Sequence, residues 1–420
     1  MPWDNPRLLG WFFYTSSVYN KWREQIASRT IVHAGVKTVQ QQRAEQIRRE
    51  IIRLCHAGLN SRTLRIEILK RLRTVIPIDV SFFTTADPAT LLFTGAVVDE
   101  ILERATPQFI ENEFLHDDVN KFSWLARSAT PVGGLIQATQ RELEQSPRYR
   151  EILAPLALGD ELRAALITSG ACWGFLCLHR DRSSPQFTPA EIAFIGRLTP
   201  HMAEGLRKAL LLGSTTGSKA PDEPGLLLLA EDLSVVAITP AAERWLSEVA
   251  EVDWSRKLAL PSAISAVVAR LQEIERNNEV YPALLPKVRL RTASGHWLVL
   301  HASRLSGPSA QAQIAVIFEV ARPAEIAPLI VQAYDLSKRE SEIMQSVSRG
   351  LSTIEMSATF QISSNTVQDH LKSIFEKVGV RSRRELVGQL FAQQYQPRLV
   401  SGHDLDANGW FTWTAMPMER

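Results

Sequence analysis

Apolar residues recur at helical spacing near the start of the chain, first Ile47, Ile51 and Leu54, then Leu64, Ile68 and Leu72. That period predicts one long helix over 39–75. The pattern then changes to strands at Ile78–Thr85 and Leu91–Thr94, joined by Ala86-Asp87-Pro88. Two further apolar runs, Leu162–Thr168 and Ala171–His179, meet at Ser169-Gly170 and read as paired strands. Thr188-Pro189-Ala190-Glu191 has the form of a helix start, with Pro in the first turn and an acid behind it. The helix it opens is expected to reach Leu212. A sheet bracketed by helices is an α+β layout.

Gly213 to Pro224 is dense in small, polar and Pro residues and reads as a linker. After it, Gly225–Ala230 and Val235–Ile238 predict strands around an acidic turn at Glu231-Asp232. Thr239-Pro240-Ala241-Ala242-Glu243 starts a helix, and a second is expected over Ala263–Arg276. Strands follow at Lys287–Thr292, Trp297–Leu305 and Ala312–Val320, and a second linker is marked by Arg322, Pro323 and Pro328.

Residues 335–394 carry a denser pattern. Ser337-x-x-Glu340, Ser352-x-x-Glu355 and Ser382-x-x-Glu385 are capping boxes, and Ser363 caps a fourth helix start, with Ile362 and Val367 at staple positions. Four starts in so short a span predict a compact four-helix unit. In the helix after Ser363, Val367, Leu371, Ile374 and Val378 form a core-facing stripe. Asn365, Gln368, Asp369 and Lys372 lie opposite. One packed face and one face of short polar groups suit a major groove, where amides and ammonium groups meet base edges. The helix over Thr353–Phe360 joins this one through a turn of two or three residues, as in a helix-turn-helix. Lys377, Arg381, Arg383 and Arg384 follow and are expected at phosphates.

The chain has 420 residues, 47 Lys and Arg against 45 Asp and Glu, and three Cys. Length implies about three domains, and the charge balance excludes a polybasic coat. Scattered Cys55, Cys172 and Cys177 build no disulfide framework and fit a reducing compartment, so a cytoplasmic protein is expected. The opening stretch Leu8–Tyr19 is too short to span a bilayer and lacks the flanks of an export signal. The aromatic residues of 1–38 belong to an extension that either serves a partner or adds nothing.

Leu336-Ser-Lys-Arg-Glu340, Gly350-Leu-Ser352, Ile362-Ser363, Thr366-Val367, His370-Leu371, Ile374–Val380 and Arg381-Ser382-Arg383 closely resemble the LuxR-type helix-turn-helix module of bacterial transcription regulators. The resemblance implies sequence-specific binding of double-stranded DNA, as a homodimer pairing partly through the last helix, with RNA polymerase a possible partner. It places the contacts at Ser363, Asn365, Thr366, Gln368, Asp369, His370, Lys372, Lys377, Arg381 and Arg383. Three positions depart from the family. Ile354-Glu355-Met356-Ser357 stands for a Lys-Glu-Ile-Ala run, Gln361 for a turn Gly, and Gln368-Asp369 for a Lys after Thr366-Val367. From Ser363 to Phe391 five cations face three anions, so non-specific affinity is expected to be weak and salt-sensitive.

Upstream, Trp173–Leu178 followed by Phe187-Thr188-Pro189 resembles the end of a GAF domain. The strand, turn, strand and Ala-Ala-Glu-Arg helix from Gly225 resembles the start of a PAS domain. The expected fold class is therefore multidomain, with a GAF-like α+β domain at 39–213, a linker at 214–224, and a PAS-like α+β domain at 225–322. A linker at 323–334, the all-α LuxR-type module at 335–394 and a tail at 395–420 complete it.

Other motifs resolve against chemistry. Gly213–Lys219 misses the P-loop spacing. Cys172 and Cys177, five apart on one strand, point to opposite faces by simple alternation. His116-Asp117-Asp118 reads as a loop before it reads as a metal corner. Asp369 is either a cytosine acceptor or a helical partner for Lys372. No catalytic residue, metal or cofactor is expected, and no enzyme. The expected signal at the upstream domains is a ligand, such as an unknown small molecule, or a partner. The alternative is a sensor or interaction scaffold whose DNA module has degenerated.

Overall fold

The computed structural model describes residues 41–212, 223–249, 260–277, 285–306 and 313–387. The extension at 1–38, most of the first linker, and the tail lie outside the described residues.

The first unit contains helices α1 (41–55), α2 (Ser61–Leu72), α3 (Glu100–Glu103), α4 (Thr106–Leu115), α5 (Phe122–Leu125), α6 (Leu135–Ala138) and α7 (Pro189–Leu212). Its strands are β1 (Val80–Ala86), β2 (Phe93–Val98), β3 (Val132–Gly134), β4 (Leu158–Thr168) and β5 (Ala171–Asp181). They form one antiparallel sheet in the order β2-β1-β5-β4-β3. The expected continuous helix over 39–75 is two helices. Gly58 adopts φ 70° and Asn60 caps α2, accepting from the Thr63 N–H at 2.9 Å. A left-handed Gly and an Asn cap end one helix and start another, although Ile47, Ile51, Leu64, Ile68 and Leu72 are buried as the period requires.

One face of this sheet, with Leu162, Ala164, Leu176 and Leu178, packs in the same core as α2 and α7. The other face, with Ala165, Phe175 and Phe93, lies in the core with Phe114 of α4 and Phe122 of α5. Cys172 and Cys177 both belong to this second face, which corrects the alternation argument. A bulge where Leu166 pairs Gly174 and Ile167 pairs Cys172 adds one residue to β5 and turns Cys172 over.

The second unit has β6 (Gly225–Leu229), β7 (Val235–Ile238), β8 (Lys287–Arg291), β9 (Trp297–Arg304) and β10 (Ile314–Val320), ordered β7-β6-β10-β9-β8. This repeats the connectivity of the first sheet. Helices α8 (Pro240–Val249) and α9 (Ser262–Asn277) belong to it. Every residue from Ala263 to Leu271 is buried, because α9 lies between its own sheet and α4 and β2 of the first unit. At the same junction the Arg289 guanidinium grips the Asp87 carboxylate at 2.6 and 2.9 Å.

The stretch 323–334, expected as a linker, is helical. In α10 (Pro323–Ala333) a Pro occupies the first turn and the Glu325 carboxylate accepts from the Arg322 N–H at 2.8 Å. The two Pro residues suggested a break, but Pro323 stands at the first helical position, where the missing N–H has no helical partner, and the helix continues through Pro328. Four helices follow: α11 (Lys338–Ser348), α12 (Thr353–Phe360), α13 (Ser364–Val378) and α14 (383–387). Among the described residues no helix is long and apolar enough to cross a membrane.

Candidate nucleic-acid interface

Local hydrogen bonds fix each helix start of the C-terminal unit. Ser337 and Ser352 form full capping boxes with Glu340 and Glu355, and the Ser363 hydroxyl accepts from the Thr366 N–H at 3.1 Å. At α14 the Ser382 hydroxyl accepts from the Glu385 N–H, but the Glu385 carboxylate takes the Arg381 N–H instead of reaching Ser382. Each cap contributes about 1 kcal/mol.

The turn between α12 and α13 spans three residues. Gln361 sits at φ 53° and ψ 44°, donating its N–H to the Ser357 carbonyl. A side chain in this left-handed region costs about 1 kcal/mol relative to Gly. Gln361→Gly is therefore expected to raise stability by about 0.5–1 kcal/mol, read as a higher urea midpoint at unchanged slope. An equal or lower midpoint contradicts this account of the turn.

Across the turn, α13 divides as its sequence predicts. Val367, Leu371, Ile374 and Val378 are buried against α11 and α12. Asn365, Gln368, Asp369 and Lys372 are exposed on the opposite side. Asp369 and Lys372 form no ion pair with each other or with any other described residue, so both charges of that row face solvent. The remaining predicted contacts separate. The Ser363 and Thr366 hydroxyls bond each other at 2.9 Å within the cap, and His370 is half-buried on the flank. Arg381 is exposed beyond the helix.

Two of the residues expected at phosphates bond within their own unit. The Lys377 ammonium donates to Glu340 Oε2 at 2.7 Å and to the Asp335 carbonyl at 3.0 Å. The Arg383 guanidinium donates to the Leu351 carbonyl. Both cations close the unit on itself, because its three long helices leave carbonyls and one acid within reach.

The family model described as bacterial regulatory proteins, luxR family, matches residues 335–389. Residues 335–389 are a LuxR-family domain. That match points to a DNA-binding, non-enzymatic transcription regulator. No curated protein matches the chain. Among solved structures, the VqsR LBD domain from Pseudomonas aeruginosa shares 16% identity over 40% of this chain and 98% of its own, with a TM-score of 0.29. A GAF domain/HD domain protein from Geobacter sulfurreducens shares 21% over 35% and 92%, with a TM-score of 0.26. Escherichia coli SdiA shares 11% over 82% and 96%, with a TM-score of 0.28. At such scores these likenesses carry no argument about ligand or mechanism.

The LuxR-family domain meets the first unit through α7 and α10. The Arg207 guanidinium on α7 donates to the Ala333 carbonyl at the end of α10 at 2.5 Å, steadied by Glu204 at 2.6 and 2.8 Å. Only Tyr334 to Ser337 separate α10 from the first helix of the LuxR-family domain.

Sequence reasoning missed a charge network inside the first unit. Arg148, fully buried, donates to Glu161 at 2.9 Å, Asn112 at 3.2 Å and the Val119 carbonyl at 3.0 Å. Arg163 pairs with Glu113 at 3.0 Å and lies over the Phe122 ring at 3.7 Å. Burial pushes the Glu161 carboxyl up, but Arg148, Arg163 and His179 outweigh it and hold it at about 2. The alternating Glu161, Arg163, Cys177 and His179 in otherwise apolar strands were the signal in the sequence. Asp118, expected in a loop, is there, accepting from Ser146 and from the Arg148 N–H, both at 2.7 Å.

Glu161, Cys177 and His179 bring three ligand atoms within 4.8 Å of one another, the spacing a metal ion needs. Their surroundings oppose one. Glu161 is neutralised by Arg148, Arg163 stands beside it, and burial keeps the Cys177 thiol protonated by raising its pKa far above the ordinary value. Two fixed cations repel a third, so the cluster reads as structural.

Proposed function

We propose that the chain is a transcription regulator that reads a specific DNA site with α13, acting as a dimer, while its two upstream α+β units bias DNA competence. The observation that carries this reading is the row Asn365, Gln368, Asp369 and Lys372, exposed along α13 opposite its buried stripe. Amide and ammonium groups on one open helical face suit base edges in a major groove. The shared strand order of the two upstream sheets supports the GAF-like and PAS-like labels, and the Arg207–Ala333 contact supports a mechanical route from them to the DNA module. A signal acts by preferring one arrangement of these parts, and shifts DNA affinity by its differential affinity for the two states.

The test is binding of the full chain to the DNA upstream of its own gene. Lys372→Ala is expected to weaken specific binding roughly tenfold and reduce the log–log salt slope by about 1. Gln368→Ala is expected to relax base preference and leave that slope unchanged. Absence of any sequence-specific shift at low salt overturns the reading. Asp369, an exposed anion on the same face, favours one rival, a scaffold whose DNA module no longer binds. That rival predicts no shift together with retained capture of a protein partner.

A further inference from the structure

A cavity of about 590 Å³ lies where the two α+β units and α10 meet. Its volume is in the range of small-molecule sites, and domain junctions are where such sites concentrate. Its walls carry four guanidinium groups, Arg62, Arg65, Arg289 and Arg291, against the two carboxylates Asp87 and Glu248. Both carboxylates are engaged, Asp87 by Arg289 at 2.6 Å and Glu248 by the Ser294 N–H at 2.9 Å.

Arg291 has no such counterpart. Its guanidinium donates to the Leu210 carbonyl at 2.6 Å and the Gly295 carbonyl at 3.1 Å, and no carboxylate pairs with it among the described residues. Burial pushes its pKa down to about 10, so the site disfavours this cation until an anion arrives. Trp173, 3% exposed, also lines the cavity, and its indole N–H has no hydrogen-bond partner among the described residues. Leu206 and Leu210 from α7, Leu290 from β8 and Leu329 from α10 give the wall an apolar side, beside the polar Asn60, Ser61, Thr85, Thr94 and Thr292.

We infer that this cavity binds a small organic carboxylate with an apolar body, its head group against Arg291 and Arg62 and its body along Leu206, Leu290 and Leu329. A guanidinium is the group that meets a planar carboxylate with two donors. Because the walls come from both units and from α10, such a ligand favours the docked arrangement over any in which the units part. Its regulatory consequence rests on the signal-modulated reading above, whereas the binding itself does not.

The test uses the full chain, calorimetry, and two probes of different shape, 2-naphthoate and decanoate, each beside its neutral amide. At least one acid is expected to bind saturably, with its amide at least about tenfold weaker. Arg291→Gln is expected to weaken the acid by about tenfold. Arg62→Gln, at an exposed position, is expected to weaken it severalfold without loss of folding, which keeps the test decisive if Arg291→Gln destabilises the chain. No saturable heat with either acid, equal affinity for acid and amide, or undiminished affinity in the Arg62 variant overturns the inference. DNA affinity is then measured with and without the bound acid. An unchanged value overturns the regulatory consequence alone, whereas absence of DNA binding without any probe overturns the proposed function and leaves the calorimetric result standing.

Discussion

Replacing Arg148 with Met is expected to cost about 3–5 kcal/mol, because it leaves the buried Glu161 carboxylate without its main counter-charge. The side chain is fully buried and bonds the buried Glu161 and Asn112 side chains and the Val119 carbonyl. For a unit of this size, that corresponds to a fall in melting temperature of roughly 10 °C. Arg148→Met/Glu161→Leu removes both charges and is expected to recover much of the loss, since apolar replacement of a whole buried pair is often close to neutral. The check is thermal and urea unfolding of the three variants. A double variant no more stable than the single one shows that the arginine acts through its packing and its Asn112 and Val119 bonds, and not through its charge.

The same network sets the acid side of the stability profile. Glu161 titrates at about 2 in the folded chain against an ordinary 4.5. A depressed acid stabilises the fold above the unfolded value, and the contribution disappears as pH falls from about 4.5 through 2. His179 is driven from 6.5 to about 4, first by burial and further by Arg163 and Arg148, so the folded chain holds it neutral. The unfolded chain takes up that proton below about 6.5, so stability declines as pH falls from there toward 4. The two windows run in the same direction and overlap, and the first unit is expected to begin losing stability in mildly acidic solution.

The C-terminal unit was legible because its determinants are local. Ser337, Ser352 and Ser363 each bond a residue three positions on, and the stripe from Val367 to Val378 repeats within one helix. The upstream strands were legible through alternation and turn residues, and each of them except β3 was expected from its own segment. Val132-Gly133-Gly134 carries no alternation, and its pairing with Leu162–Ala164 comes from the opposite strand. Contacts between distant segments were beyond such reading. Asp87 and Arg289 are 202 residues apart, and nothing near either names the other. The cavity at the domain junction was invisible for the same reason: Arg62, Trp173, Arg291 and Leu329 share a wall only after the units dock. The bonds of Lys377 to Glu340 and of Arg383 to the Leu351 carbonyl were not legible, because a cation near the end of a helix gives no sign of whether a carbonyl or an acid of its own unit lies within reach.

Lys377 offers the clearest separation of a structural cation from a DNA-contacting one. Burial pushes the Glu340 carboxyl up, but Lys377 and the Ser373 and Ser337 groups outweigh it and hold it at about 2. Glu340 is 5% exposed, receives the Ser373 hydroxyl at 2.6 Å, and closes the capping box of α11 by accepting the Ser337 N–H at 2.6 Å. One carboxylate thus joins the start of α11 to the far half of α13. Glu340→Ala is expected to cost about 2–4 kcal/mol, from a lost cap and an unpaired ammonium. Glu340→Gln can keep the cap, which tolerates Gln, and is expected to lose only the ionic part. Lys377→Ala should resemble Glu340→Gln in stability, and the double variant should fall short of the sum, since both substitutions break the same bond. In DNA titrations at several salt concentrations, Lys377→Ala is expected to leave the log–log slope unchanged where Lys372→Ala lowers it by about 1. A slope reduced by Lys377→Ala returns that residue to the phosphates, and additive stability effects remove the Glu340 bond from the account of how α13 is held.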